Sequence, residues 1–370
     1  MKSNVKSLYI HIPFCNKICS YCDFCKLLYN DKFIDKYLIA LEKEIVNNYK
    51  GEVIETIYIG GGTPSCLSYK QLKRLFEIIS IIKKAPNLEF TIEGNFDSTT
   101  FEKINLYKEY GVNRLSFGIE TTDSNLLKFL NRELDKKEAI DIINYSNNIG
   151  INNINVDLMY ALPEEDLAIL EKDLEFICSL NIKHISTYSL IIEKNTVLSI
   201  NGCKNIDEDL DLKMYNYIRK FLKDKGFIQY EISNFSKEGY ESKHNLVYWK
   251  NQEYYGFGIG SSSYIGNKRS NNTRSINKYF VGDTVSNFDI LSSKEQKEYE
   301  IMLGLRTIYG INKEKFTKLY GKDIEKCYNY SSLINDGFIL EDLDHIWINP
   351  DHWYISNEII VKFLEGEIDG

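Results

Sequence analysis

Four cysteines crowd into eleven residues, Cys15, Cys19, Cys22 and Cys25, in a chain of 370 residues that holds eight. Thiolates are soft ligands, and in a reducing compartment such crowding reads as metal or cluster binding rather than a disulfide framework. The spacing is x3, x2, x2. Structural zinc sites usually set two ligand pairs across a longer insert. A ferredoxin run reads x2, x2, x3 with Pro after the last Cys, whereas Lys26 follows Cys25 here. Three thiolates, Cys15, Cys19 and Cys22, on one short loop can hold a [4Fe–4S] cluster and leave one iron without a protein ligand. That iron can take a small molecule through amino and carboxylate groups. The spacing favours an open cluster over zinc and leaves zinc as the alternative.

A second candidate is the run His244-Asn245-Leu246-Val247-Tyr248-Trp249. Histidine is a common heme-iron ligand, aromatic rings can stack on a porphyrin, and on a helix His244 and Tyr248 share a face. A single histidine among aromatics is nevertheless more often a hydrogen-bonded core residue. Gly60, Gly61 and Gly62 remove side chains from a strand-to-helix turn, so a ligand can approach the main chain, although most such turns are only turns. His11 reads as a residue that orients the cysteine loop. Cys66, Cys178, Cys203 and Cys327 are isolated and read as small hydrophobes.

These residues need elements to position them. Apolar, β-branched and aromatic runs at 7–12, 56–60, 89–93, 114–118, 153–158 and 184–190 predict six strands. Helical spacing at 31–49, 68–83, 99–110, 136–150 and 166–180 predicts the helices between them, with Asp31, Ser68 and Thr99 as N-caps and Gly111 and Gly150 as stops. Repeated βα units imply an α/β fold with a parallel sheet, an open (β/α)6 TIM-like barrel whose chemistry sits at the C-terminal strand ends. A helix is expected at 207–226. The aromatic, Gly- and Ser-rich stretch 230–266 is expected to close the barrel. Helices at 293–308 and 313–320, then Leu333–Phe338 and alternating strands ending in Trp347 and Trp353, suggest a winged-helix-like module. The domain reading is 1–230 for the barrel, 231–290 for a closing and linking segment, and 291–370 for the C-terminal module.

Composition narrows the classes. Hydrophobic residues make up 43% and charged residues 26%, with only 5 Pro, which excludes collagen-like and disordered chains. With 45 basic against 53 acidic residues, the net charge of −8 argues against an electrostatic grip on nucleic acid or anionic lipid. The N-terminal run MKSNVKSLYIHIPFC lacks the length and cleavage site of a signal peptide, and no apolar stretch reaches membrane-spanning length, so the expected location is the cytoplasm.

The cysteine spacing after a first strand, within YIHIPFC (Tyr9–Cys15) and YCDF (Tyr21–Phe24), resembles the radical S-adenosylmethionine (SAM) superfamily. Within it the chain is similar to the branch of oxygen-independent coproporphyrinogen III oxidases and HemW-like heme chaperones. The likeness continues through GGGTPS (Gly60–Ser65), GVNRLSFG (Gly111–Gly118), NVDLMYALP (Asn155–Pro163), YEISNF (Tyr230–Phe235) and HNLVYW (His244–Trp249), so it spans nearly the whole chain. It implies a [4Fe–4S] cluster on Cys15, Cys19 and Cys22, with SAM on the open iron. Gly61, Gly62 and Thr63 would face its amino group, and Tyr9, Tyr21, Glu93, Arg132 and Asp157 match SAM-contacting positions. It implies heme at His244, Tyr248 and Trp249.

Departures from the family pattern carry information. Glu120 stands where the family usually has Gln; it counts among the implied SAM-binding residues, since it can still accept hydrogen bonds, but it adds a charge. The usual EANP-like text is Glu93-Gly94-Asn95-Phe96. A histidine within the usual Gly-Ala-His-Ser text is missing from Gly260-Ser261-Ser262-Ser263. Dehydrogenases of the branch carry a fourth Cys where this chain has Phe24, as HemW-like proteins do, so Cys25 is taken as a non-ligand thiol. The resemblance therefore implies a heme chaperone, with no side chain assigned a catalytic role. The alternative it leaves is a radical enzyme acting on a tetrapyrrole, by dehydrogenation of coproporphyrinogen III or by anaerobic heme breakdown. Implied partners are heme, acceptor hemoproteins, an electron donor such as flavodoxin or ferredoxin, and a second copy of the chain. Nucleic acid is not among them, and membrane contact would come only through an acceptor.

Overall fold

A computed structural model describes residues 5–368. Six parallel strands form the frame: β1 (Ser7–Ile12), β2 (Ile54–Gly61), β3 (Lys84–Gly94), β4 (Arg114–Glu120), β5 (Asn153–Tyr160) and β6 (His184–Ser189). Their order in the sheet follows their order in the chain, so successive βα units all step in one direction, as in a barrel. Side chains alternate across each strand. Leu8, Ile10 and Ile12 of β1, Ile57 and Ile59 of β2, Phe90 and Ile92 of β3, Leu115 and Phe117 of β4, and Ile154, Val156 and Leu158 of β5 all join one hydrophobic core. The opposite face of the same strands is polar: Tyr9 and His11, Tyr58, Glu89 and Glu93, Arg114 and Ser116, Asn155 and Asp157. The aliphatic face packs under the helices, and the polar face lines the inside of the curved sheet.

The intervening helices are α1 (Asp31–Asn48), α2 (Tyr69–Ile79), α3 (Phe101–Glu109), α4 (Ser124–Leu130), α5 (Lys136–Asn148) and α6 (Leu167–Ser179), and α7 (Glu208–Asp224) follows β6. Ser68 caps α2 in a reciprocal capping box with Gln71. The other two expected caps fall one residue off: Asn30 rather than Asp31 caps α1, and Thr100 rather than Thr99 caps α3, because the Thr99 hydroxyl is donated to the Asn95 carbonyl. Gly111 and Gly150 hold φ of 86° and 87°, the left-handed conformation that a helix stop favours. The short α4 was not anticipated, and its left-handed C-terminal Asn131 delivers Arg132.

The stretch from Tyr230 to Gly266 lies at both edges of the sheet. It adds β7 (Asn234–Ser236) antiparallel to β6, and, after α8 (Lys243–Trp249), β8 (Tyr255–Phe257) parallel to β1, so it extends both edges. Among the described residues those edges are not hydrogen-bonded to each other. β9 (Ser262–Ile265), β10 (Lys268–Asn272) and β11 (Val285–Ile290) form a separate antiparallel sheet. The C-terminal part has its own core around Ile301, Phe316, Ile346, Trp353 and Phe363 and a small three-stranded sheet, the winged-helix-like pattern expected. Trp347 lies on the last strand, His345–Ile348, but Trp353 sits in a 3-10 turn, where its ring fills that core. No helix of the described residues is long and apolar enough to cross a membrane.

Candidate functional site

Parallel register brings the C-terminal ends of β1 to β6 to one mouth. His11 pairs with Gly60, Glu93 with Ser116, Gly118 with Asp157, and Asp157 with Ser186. The loop after β1 crosses this mouth. His11 holds it: Nε2 lies 2.7 Å from the Cys25 carbonyl, and Nδ1 lies 3.0 Å from the Tyr9 hydroxyl. Burial pushes the His11 pKa down to about 4, so the ring is neutral and acts as a strut. Lys26 donates back to the Cys22 carbonyl and the amide of Ser20 to the Leu130 carbonyl, which fixes the loop at two further points.

A cleft of about 470 Å³ opens there, within the range of ligand sites. Cys15, Cys19 and Cys22 line it together with Tyr21, Gly61, Gly62, Thr63, Glu93, Asn95, Glu120, Arg132 and Asp157. Cys25 does not. It faces a second cleft of about 430 Å³, with Tyr9, Phe24, Tyr248, Tyr254 and Arg274 on the other side of the loop. Burial raises the thiol pKa of Cys15 to about 11 and raises that of Cys22, so neither thiol ionises readily unless a cation is present to receive it.

The glycine turn is shaped by these contacts. A Cβ on Gly62 would lie 2.8 Å from Cys15 Sγ and from the Phe14 carbonyl, and one on Gly61, which holds φ 119°, would lie 2.6 Å from the His11 ring. The Gly61 amide donates to Glu93 Oε2 at 3.0 Å, and the Tyr58 hydroxyl donates to Glu93 Oε1 at 2.7 Å. Burial nonetheless raises the Glu93 pKa. Burial, and then the Glu120 charge, pushes Asp157 up to about 7, although Asn155 donates to it at 2.7 Å. Arg132 meets Glu120 in an ion pair of 2.8 Å. Burial is the largest influence and opposes its charge, but the Glu120 carboxylate, Tyr21 and Cys19 together more than offset it and keep the guanidinium protonated.

The donor set fits the groups that the sequence implies. Among the described residues no three His, Cys, Asp or Glu side chains gather closely enough to hold a single metal ion. Cys15, Cys19 and Cys22 line one cleft, and three thiols are a donor set that suits a polynuclear iron–sulfur core. Beside them, carboxylates suited to ammonium and ribose hydroxyls and a guanidinium suited to a carboxylate share the same cavity.

The second predicted site is arranged differently. His244 is 1% exposed. Its Nδ1 lies 2.8 Å from Thr56 Oγ1, its Nε2 lies 2.8 Å from the Tyr248 hydroxyl, and its ring packs on Tyr58 with centroids 5.1 Å apart. Burial pushes its pKa down to about 3. His244 is thus a buried, doubly hydrogen-bonded residue, as a single histidine among aromatics commonly is, because the start of α8 tucks against Glu89, whose carboxylate accepts the His244 amide at 2.9 Å. Tyr248 reaches the second cleft; His244 does not line it, and Trp249 ends α8 partly buried. Sequence reading missed Tyr58 and Asn95. Tyr58 could have been found from the inward alternation of β2, and Asn95 from its place two residues after Glu93.

The Radical SAM superfamily model matches residues 9–177. The chain is 38% identical to the heme chaperone HemW of Bacillus subtilis, over 98% of this chain and all of that protein. It is 37% identical to the heme chaperone HemW of Lactococcus lactis, over the full length of both. Among solved structures, coproporphyrinogen III oxidase (HemN) from Escherichia coli superposes with a TM-score of 0.84 at 20% identity, over 96% of this chain and 89% of that one, which shows a common fold. With relatives this similar along its whole length, the chain belongs to the HemW family of the radical SAM superfamily.

Proposed function

We propose that the protein is a heme chaperone of the cytoplasm. In this reading Cys15, Cys19 and Cys22 hold a [4Fe–4S] cluster, SAM binds beside it, and heme is bound and passed to acceptor hemoproteins. The observation that carries the reading is the division of the cysteines: three line the cleft that also holds Glu93, Glu120, Arg132 and Asp157, and the fourth faces away. The relatives' name, heme chaperone, supports the heme part. When bound, the cluster and SAM would supply one-electron chemistry or a ligand-dependent change of state. The chain's own residues position and enclose: Thr63 steadies the Cys15 thiol, Gly61 and Gly62 open the wall, and Arg132 presents a guanidinium to a carboxylate. An electron donor and self-association belong to the same proposal.

For heme, α8 supplies His244 under the cover of Tyr248. Iron reaches Nε2 only if the Tyr248 hydroxyl, 2.8 Å away, moves aside. The test is anaerobic reconstitution followed by iron and sulfide counting and heme titration with and without SAM. Four iron per chain and a heme Soret band that disappears in His244→Ala are expected. A Soret band unchanged in that variant would remove His244 from the heme site, and no heme binding in any cluster state would overturn the chaperone reading. Formation of protoporphyrinogen from coproporphyrinogen III with SAM and dithionite would establish the dehydrogenase alternative instead.

A further inference from the structure

Arg132 and Glu120 stand in the wall of the thiol-lined cleft with side chains only 10% and 8% exposed. Arg132 Nη2 donates to Glu120 Oε2 and to the Gly118 carbonyl, each at 2.8 Å. Nη1 faces Asn95 Oδ1 at 3.1 Å and Cys19 Sγ at 3.8 Å, while Nε is buried without a partner. The other oxygen of Glu120, Oε1, accepts from the Tyr21 hydroxyl at 2.9 Å.

The backbone is adapted to this pair. Glu120 holds φ 59°, in the left-handed region that long side chains rarely adopt, and the register of β4 against β5 slips between Gly118 and Glu120. Gly118 is bare beneath the pair: a Cβ there would lie 2.6 Å from Arg132 Nη2 and from Glu120 Oε1. A buried ion pair contributes little net stability, because desolvation offsets its attraction. Backbone strain concentrated on such a pair inside a ligand-sized cleft therefore points to binding.

We propose that Glu120 is a built-in carboxylate that fills the anion-binding edge of Arg132 and competes with the carboxylate of an amino-acid-bearing ligand, here that of SAM. The inference rests on the SAM reading above. A ligand carboxylate seats on the guanidinium only as Glu120 gives up its contact, so Glu120 weakens carboxylate-bearing ligands selectively and sets the specificity of the cleft. Glu120→Gln keeps the shape and removes the charge.

The test is calorimetric titration of anaerobically reconstituted full chain, wild type and Glu120→Gln, with SAM and with decarboxylated SAM, which lacks the carboxylate. Removing one charge-assisted competitor is expected to tighten SAM about tenfold. Decarboxylated SAM should change by less than about twofold. SAM affinity equal to or weaker than wild type in Glu120→Gln overturns the inference, as does an equal gain for both ligands. Glu120→Asn, which also removes the charge and suits the left-handed backbone at φ 59°, should give a gain in the same direction and serves if Glu120→Gln does not fold. Absence of SAM binding in wild type and both variants removes the SAM reading itself, an outcome distinct from SAM binding that Glu120 does not modulate.

Discussion

At the scale of single residues, the inner polar face concentrates carboxylates whose protonation is set by burial. Glu165 is the clearest case away from the cleft. Its Oε2 accepts from the Leu162 amide at 2.9 Å, its Oε1 has no partner, and burial pushes its pKa up to about 8. The native state therefore keeps a proton that the unfolded chain releases near its ordinary value. The stability this group confers is present at low pH and is lost as pH rises toward 8, at up to about 1.4 kcal/mol per pH unit. Glu165→Gln should remove that slope. Urea denaturation of wild type and variant should diverge from about pH 5 to 8 and run parallel above; curves parallel across the whole range would contradict the account.

At the scale of elements, the N-terminal end of each helix from α1 to α6 is fixed by a side chain that local sequence supplies. Ser68 and Gln71 satisfy each other's backbone donors at the start of α2, which packs Leu72, Leu75, Phe76 and Ile79 into the main core and directly follows the Gly60–Ser65 turn. Ser68→Ala should cost about 1 kcal/mol of stability in chemical denaturation. Because the turn is anchored separately by the Gly62 amide to the Ile12 carbonyl at 2.8 Å, iron content after reconstitution should stay at the wild-type level. A fall in iron with unchanged stability would show that the cap acts on the cleft.

At the scale of the whole molecule, the loop after β1 separates two clefts. One is lined by Cys15, Cys19 and Cys22, the other by Cys25, Tyr248, Tyr254 and Arg274. That partition predicts Cys25→Ser to retain the charge-transfer absorption of a reconstituted cluster, and Cys19→Ser to lose most of it. Loss in Cys25→Ser, with the far-ultraviolet circular dichroism unchanged, would mean that the loop rearranges to bring a fourth thiol to the core.

The sequence alone determined the alternation of strands and helices, because apolar periodicity is a local property that βα units write plainly into the chain. It likewise marked the cysteine loop and the glycine turn, whose spacing is short-range. Tertiary structure decided what depends on elements far apart in the chain. It turned Cys25 away from its neighbours, seated Glu120 on Arg132 through a bulge that no spacing announces, and buried His244 between Thr56 and Tyr248. It also sent Tyr230–Gly266 to both edges of the sheet. The contacts that decide these placements, such as Thr56 with His244 and Tyr21 with Glu120, join groups far apart in the chain, which local residue patterns do not encode.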